Sequence, residues 1–96
     1  MNLRILPSAQ EDLADGFAFY EQQGQGLGIY FLESIFSDVD SLRLYAGIHQ
    51  KVFGFHRLLS KRFPYAIYYS TESETVSIRA VLDCRRDPSY TRERLK

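Results

Sequence analysis

The chain predicts an α+β fold: an N-terminal strand, an antiparallel helix hairpin, then a three-stranded antiparallel meander. Three observations lead there. The first half carries apolar stripes at helical spacing as far as Tyr45. Gly24 and Gly26, set among glutamines, interrupt those stripes with a link short enough to force a reversal. The second half reads as β-branched and aromatic runs parted by turn residues.

Leu3 and Ile5 flank Arg4 in the alternation of a short edge strand, and Pro7 ends it. Ser8-Ala9-Gln10-Glu11 then has the form of a capping box, worth roughly 1 kcal/mol. Glu11, Asp12 and Asp15 suit the positive end of the helix dipole. Ala9, Leu13, Phe17 and Tyr20 form the apolar face of this first helix. The second helix is expected from Leu27 to Tyr45, closed by Gly47. Leu27, Phe31, Ile35, Val39 and Leu42 make its main stripe; Leu32 and Phe36 make a second. Two stripes imply packing on both the first helix and a sheet, and the short link makes the pair an antiparallel hairpin.

The first strand of the meander is expected from Val52 to Phe63, with Gly54 as a bulge or close-approach point. Pro64 to Ser70 is the next, and Glu72-Ser73-Glu74 the turn. Thr75 to Cys84 is the third, with Val76, Ile78, Ala80 and Leu82 on one face. The remainder, Ser89 to Lys96, reads as a short, polar, basic tail.

At 96 residues, 45% of them hydrophobic and 15% aromatic, the expectation is one domain over 1–96 with one core and no disorder. The lone Cys84 excludes an intrachain disulfide and a multi-cysteine zinc site, and two histidines make a metal site improbable. No metal and no cofactor are therefore expected. Neither a signal peptide nor a membrane-length apolar window is present, which points to a reduced, cytoplasmic protein with no membrane partner. The net charge of zero conceals an asymmetry. Residues 1–48 carry two basic side chains against seven acidic ones, a balance of −5; residues 49–96 carry ten against five, a balance of +5. Either two partner surfaces or internal complementarity accounts for this.

The most informative stretch is Val81-Leu82-Asp83-Cys84-Arg85-Arg86-Asp87-Pro88. It ends an apolar strand in paired guanidiniums, which places fixed positive charge at a sheet rim. There it can hold a phosphate or carboxylate by bidentate hydrogen bonds. The other reading is a solvated turn whose charges satisfy one another.

The order of elements and several motifs together resemble the RelE/ParE superfamily of toxins from toxin–antitoxin systems. The motifs are the Ser8-Ala9-Gln10-Glu11-Asp12-Leu13 helix start, Phe19-Tyr20-Glu21, Gly26-Leu27-Gly28 through Phe31, Phe63-Pro64-Tyr65, and Arg85-Arg86-Asp87-Pro88 followed by Tyr90. The likeness covers nearly the whole chain. The Arg-Arg-Asp-Pro ending looks most like the ParE branch, whose members are gyrase poisons and plasmid-stabilisation proteins. That branch commonly has Trp in the place of Tyr90, and often His in the place of Asp83.

The resemblance implies a type II toxin with a cognate antitoxin as partner and DNA gyrase as target. Arg85, Arg86 and Tyr90 would be the target-binding residues. Leu32 and Phe36 are candidates for the antitoxin contact, since an apolar stripe suits a partner helix; their other reading is packing within the fold. The alternative is a ribosome-dependent messenger RNA endoribonuclease of RelE type. Its candidate cations are Lys61, Arg62, Arg85 and Arg86, with Tyr90 for proton transfer or base stacking and His56 as the imidazole. A sequence pI near 6.7 is low for a protein drawn to RNA phosphates. A second alternative is an antitoxin-binding module without toxicity.

Overall fold

The computed structural model describes residues 1–96. Two layers of helix flank a five-stranded sheet. In chain order the elements are β1 (Asn2–Ile5), α1 (Pro7–Gln23), α2 (Leu27–Asp40), α3 (Leu42–Tyr45), β2 (Lys51–Val52), β3 (Phe55–Leu59), β4 (Tyr65–Glu72), β5 (Thr75–Asp83) and α4 (Pro88–Arg94). The sheet order is β1-β5-β4-β3-β2. β1 runs parallel to β5, and every other pairing is antiparallel. The expected α+β class, edge strand, helix hairpin and meander are all present. No helix is long and apolar enough to cross a membrane.

The helix starts differ from expectation. Leu6 is the N-cap of α1 and Pro7 its first residue, where a missing N–H costs nothing. Ser8 therefore lies inside the first turn, and its hydroxyl donates instead to the carbonyl of Arg79 at 3.0 Å. There is no capping box, and the first turn holds no acidic residue. Glu21, near the end of α1, serves the next helix: its carboxylate accepts the N–H of Gly26 at 3.2 Å and of Gly28 at 2.9 Å. This satisfies orphan donors at the start of α2. A Cβ on Gly28 would stand 2.7 Å from the Phe17 ring, so glycine lets the two helices approach there.

The second helix breaks at Ser41, whose hydroxyl bonds back to the carbonyl of Asp38 at 2.6 Å. Such back-bonding bends helices, and α3 follows as a separate turn. The expected strand from Val52 to Phe63 is a hairpin. Phe53 and Gly54 take φ of 53° and 89° between β2 and β3, the positive pair a two-residue hairpin turn demands. β4 extends to Glu72, and Ser73, at φ 54°, makes the turn to β5.

β5 departs most from simple alternation. Tyr68 pairs with Ala80 but Tyr69 with Ile78, so Arg79 is an extra residue, a β-bulge. The bulge inverts the phase of the strand. Val76, Ile78 and Val81 face the α1–α2 layer, packed with Phe31, Ile35, Leu13, Ile67 and Tyr69. Ala80 and Leu82 face the other side. The expected single face of Val76, Ile78, Ala80 and Leu82 is thus split. The second face is covered by the segment expected to be a polar tail. α4 lies on it, and Leu95 and Tyr90 pack with Ala66, Tyr68, Ala80 and Leu82.

Candidate functional site

β5 ends in a tight turn, closed by the N–H of Arg86 donating to the carbonyl of Asp83 at 3.2 Å. The Asp83 side chain organises that turn. Its carboxylate accepts the backbone N–H of Arg85 at 2.8 Å, and Nε and Nη2 of the same arginine at 2.9 and 2.7 Å. The Arg85 side chain holds the Asp83 carboxyl below the usual carboxylate range, against the opposing push of burial. The Asp83 carboxylate in turn raises the Arg85 guanidinium further. The Arg85 fork is therefore already filled, by Asp83 of the strand and not by Asp87 of the turn.

Arg86 is different. It makes no ion pair. Its guanidinium carbon sits 4.2 Å from the centre of the Tyr90 ring, one helical turn on. α4 fixes this stack. Asp87 caps the helix by accepting from the N–H and hydroxyl of Ser89 at 2.9 and 2.8 Å, and Pro88 opens it. Those two bonds hold the Asp87 carboxyl low. Lys61 and Arg62 are exposed on the loop between β3 and β4. The Cys84 N–H donates to the carbonyl of Pro64 at 2.8 Å, which ties that loop to the end of β5. Lys61, Arg62, Arg85 and Arg86 thus share one end of the sheet.

His56 stands apart from them. It pairs with Tyr69 across the β3–β4 ladder, whereas Asp83 pairs with Tyr65. Four strand steps separate the two positions, about 13 Å at the usual rise. Its Nδ1 is also committed, 2.6 Å from the carbonyl oxygen of His49. The candidate imidazole and the candidate cations do not converge.

Beside the Arg86–Tyr90 stack is a cleft of about 430 Å³ between α1, β5 and α4. Asp12, Asp15 and Phe19 line one wall, and Tyr65 and Asp83 the sheet side. Asp12 is buried and receives Arg94 Nη1 and Nη2 at 2.7 and 2.8 Å. Arg94 also donates to the Tyr90 hydroxyl at 3.3 Å. Tyr65 is buried enough that its phenol is pushed up to about 12. Sequence reasoning missed Asp12 and Tyr65 as parts of this wall, and Arg94 as the partner of Asp12. A signal for Asp12 existed: it lies three residues after Ala9 and four before Gly16, on the buried face of α1. An acid on that face must find a partner.

The second feature is an open groove of about 580 Å³ between the helices, close to Ile5. Leu13, Ala14 and Phe17 of α1 and Leu32 and Phe36 of α2 form its walls. Leu32 is half-buried, while Phe36 leaves 43% of its surface open. Leu32 packs at the margin of the core, while Phe36 lies on the open side of the groove.

No protein-family model matches this chain, and no curated protein matches it. Among solved structures, a chain described as "Chromosomal ParDE TA system from P. aeruginosa" is similar, with a TM-score of 0.76. The two are 21% identical, and the likeness covers 84% of this chain and 92% of that one. At that identity the likeness is one of fold.

Proposed function

We propose that the chain is the toxin component of a type II toxin–antitoxin system and that it inhibits DNA gyrase in the manner of ParE. The fold shared with a chain of a ParDE system supports the first part. The groove between α1 and α2 supports a partner that brings an apolar helix, since its walls are apolar and Phe36 leaves 43% of its surface open. The antitoxin is that partner.

The observation that favours a poison over an enzyme is the scattering of the acid–base candidates. His56, on β3, is bound to the backbone carbonyl of His49, and Arg85 is closed on Asp83. General acid–base catalysis needs such groups within reach of one substrate atom. A docking surface needs no such convergence, and Arg86 with Tyr90 provides an open cation and a ring for one.

The ribosome-dependent nuclease remains the second reading, because Lys61, Arg62, Arg85 and Arg86 gather at one end of the sheet. An antitoxin-binding module without toxicity is the third. Purified protein is to be compared in a gyrase supercoiling assay and in cleavage of ribosome-bound messenger RNA. The expected result is inhibition of supercoiling, part of it retained in Arg85→Lys and Arg86→Lys, and unchanged in His56→Gln. Cleavage of messenger RNA that is lost in His56→Gln or Tyr90→Phe would promote the nuclease instead. Loss of a positioned donor to developing charge costs ~2.7–4 kcal/mol, far more than a docking contact loses when charge remains.

A further inference from the structure

Tyr69 is fully buried on β4, yet its hydroxyl is engaged by the connection between α3 and β2. The N–H of Gly47 donates to its oxygen at 3.0 Å. The hydroxyl proton then has one acceptor, Nδ1 of His49. His56 of β3 completes the arrangement: its Nδ1–H donates to the His49 carbonyl at 2.6 Å. Its ring stacks on that of Tyr69, 5.1 Å between centres and 25° between planes. The connection is thus tied to two strands through one histidine. Gln50 adds the last tie, its carbonyl accepting the N–H of Arg57 at 2.9 Å.

We propose that this arrangement is an acid-sensitive latch: protonation of His49 frees the Gly47–Gln50 connection and edge strand β2, and so uncovers the edge of β3. The logic is one of donors and acceptors. Accepting from Tyr69 requires a neutral His49 with its proton on Nε2. A protonated His49 presents an N–H where a lone pair was needed. The Tyr69 oxygen then faces two donors, and its own proton is stranded in a buried site without an acceptor. The titratable groups that face His49 are Tyr69 from β4 and His56 from β3. No carboxylate is paired with either histidine to offset the new charge.

The direction of the His49 shift agrees with this geometry. Burial first, and then the neighbouring His56, lower it from the ordinary 6.5. The neutral form is therefore favoured in the closed state. Closure is complete above pH 6.5 and weakens as pH falls below it toward the depressed value. What is released carries an exposed apolar residue, since Ile48 is 72% open already. What is uncovered is an unpaired strand edge, which can take up another strand.

Hydrogen exchange measured by NMR on the whole chain, expressed as protection factors from about pH 7.5 to about pH 5, tests the latch. Protection at Gly47 and Arg57 should fall roughly tenfold or more across that range, while Ile67 and Ala80 in the central strands keep theirs. His49→Asn supplies a side-chain acceptor that does not titrate, so its protection should stay flat. Flat protection in the parent chain would overturn the proposal. So would the same fall in His49→Asn, or a parallel loss at Ile67 and Ala80, which would mean general acid unfolding. The ring nitrogen shifts of His49 give a reading that depends on no variant. An Nδ1–H tautomer at neutral pH, or a titration above 6.5, would equally sink it.

Discussion

Asp12 and Arg94, 82 positions apart, meet in a two-pronged ion pair that fastens α4 to α1 beside the sheet edge, past the end of β1. The reason lies in β1, whose register with β5 stops at Ile78. Beyond it the β5 edge has no strand neighbour. Side chains of α1 take over: Ser8 donates to the Arg79 carbonyl, and Asp12 accepts the Val81 N–H at 3.0 Å. Asp12→Ala leaves a strand amide without a partner and the Arg94 guanidinium without its carboxylate. It should cost about 3 kcal/mol, read as a lower urea midpoint. Ser8→Ala, which loses one neutral bond, should cost about 1 kcal/mol. Equal midpoints for Asp12→Ala and the parent would show that the pair contributes nothing.

The helix crossing is equally specific. A Cβ on Gly16 would lie 2.5 Å from the Phe31 ring, and Phe31 is fully buried. Gly16→Ala should therefore destabilise by about 1–3 kcal/mol through overpacking, despite the better helix propensity of alanine. Phe31→Ala should cost about 3–5 kcal/mol. The pair should not be additive, because Phe31→Leu gives the new methyl room. A double mutant Gly16→Ala/Phe31→Leu no better than the sum of its parts would refute this contact.

Asp83 offers a test by titration. Arg85 holds its carboxyl below the ordinary 3.8. A depressed acid contributes stability that is present above the unfolded value and is lost as pH falls through the folded one. Carbon NMR of the aspartate carboxyls should thus find Asp83 titrating below 3.8 in the parent. In Arg85→Ala it should move upward, toward that value, because the side-chain bonds are lost while the backbone N–H at position 85 and Arg86 still favour the charged form. An unmoved Asp83 would mean that its ion pair does not form in solution.

The groove predicts a separation of stability from binding. Phe36 is 43% exposed, so Phe36→Asp should change the unfolding free energy by only about 0.5 kcal/mol. Under the proposed function the same change should weaken the antitoxin complex at least tenfold in titration calorimetry, since it places a charge in an apolar seat. Unaltered affinity would put the antitoxin elsewhere.

What could be read in advance follows physical lines. The helix stripes of Leu13, Phe31, Ile35, Val39 and Leu42 were legible because their burial is periodic. The fold class followed from them and from the turn glycines. The phase of β5 was not legible, because a bulge at Arg79 leaves no mark in an alternating run; only the pairing with β4 creates it. α4 was hidden for a related reason. Its seven residues present Thr91 as their one buried member, and Leu95 lies just beyond its end. Too little apolar repeat is present to reveal a helix that docks by its flank. At the rim, the adjacency of Asp83, Arg85 and Arg86 was visible. Which arginine is taken and which is free depended on the turn after β5. His49 gave no signal, since its importance comes from Tyr69, twenty positions away.

The sheet also imposes an order in time. β1 waits for β5, its Asn2 pairing with Thr75, and Asp12 waits for Arg94. The helix hairpin needs no such delay, because α1 and α2 adjoin in sequence and local contacts form fastest. While the chain leaves the ribosome amino end first, Leu13, Ala14, Phe17, Leu32 and Phe36 can come together before Arg86 and Tyr90 have been synthesised. Under the proposed function, the groove that would seat the antitoxin exists before the rim that would meet the target, so a nascent chain can be captured before it is armed.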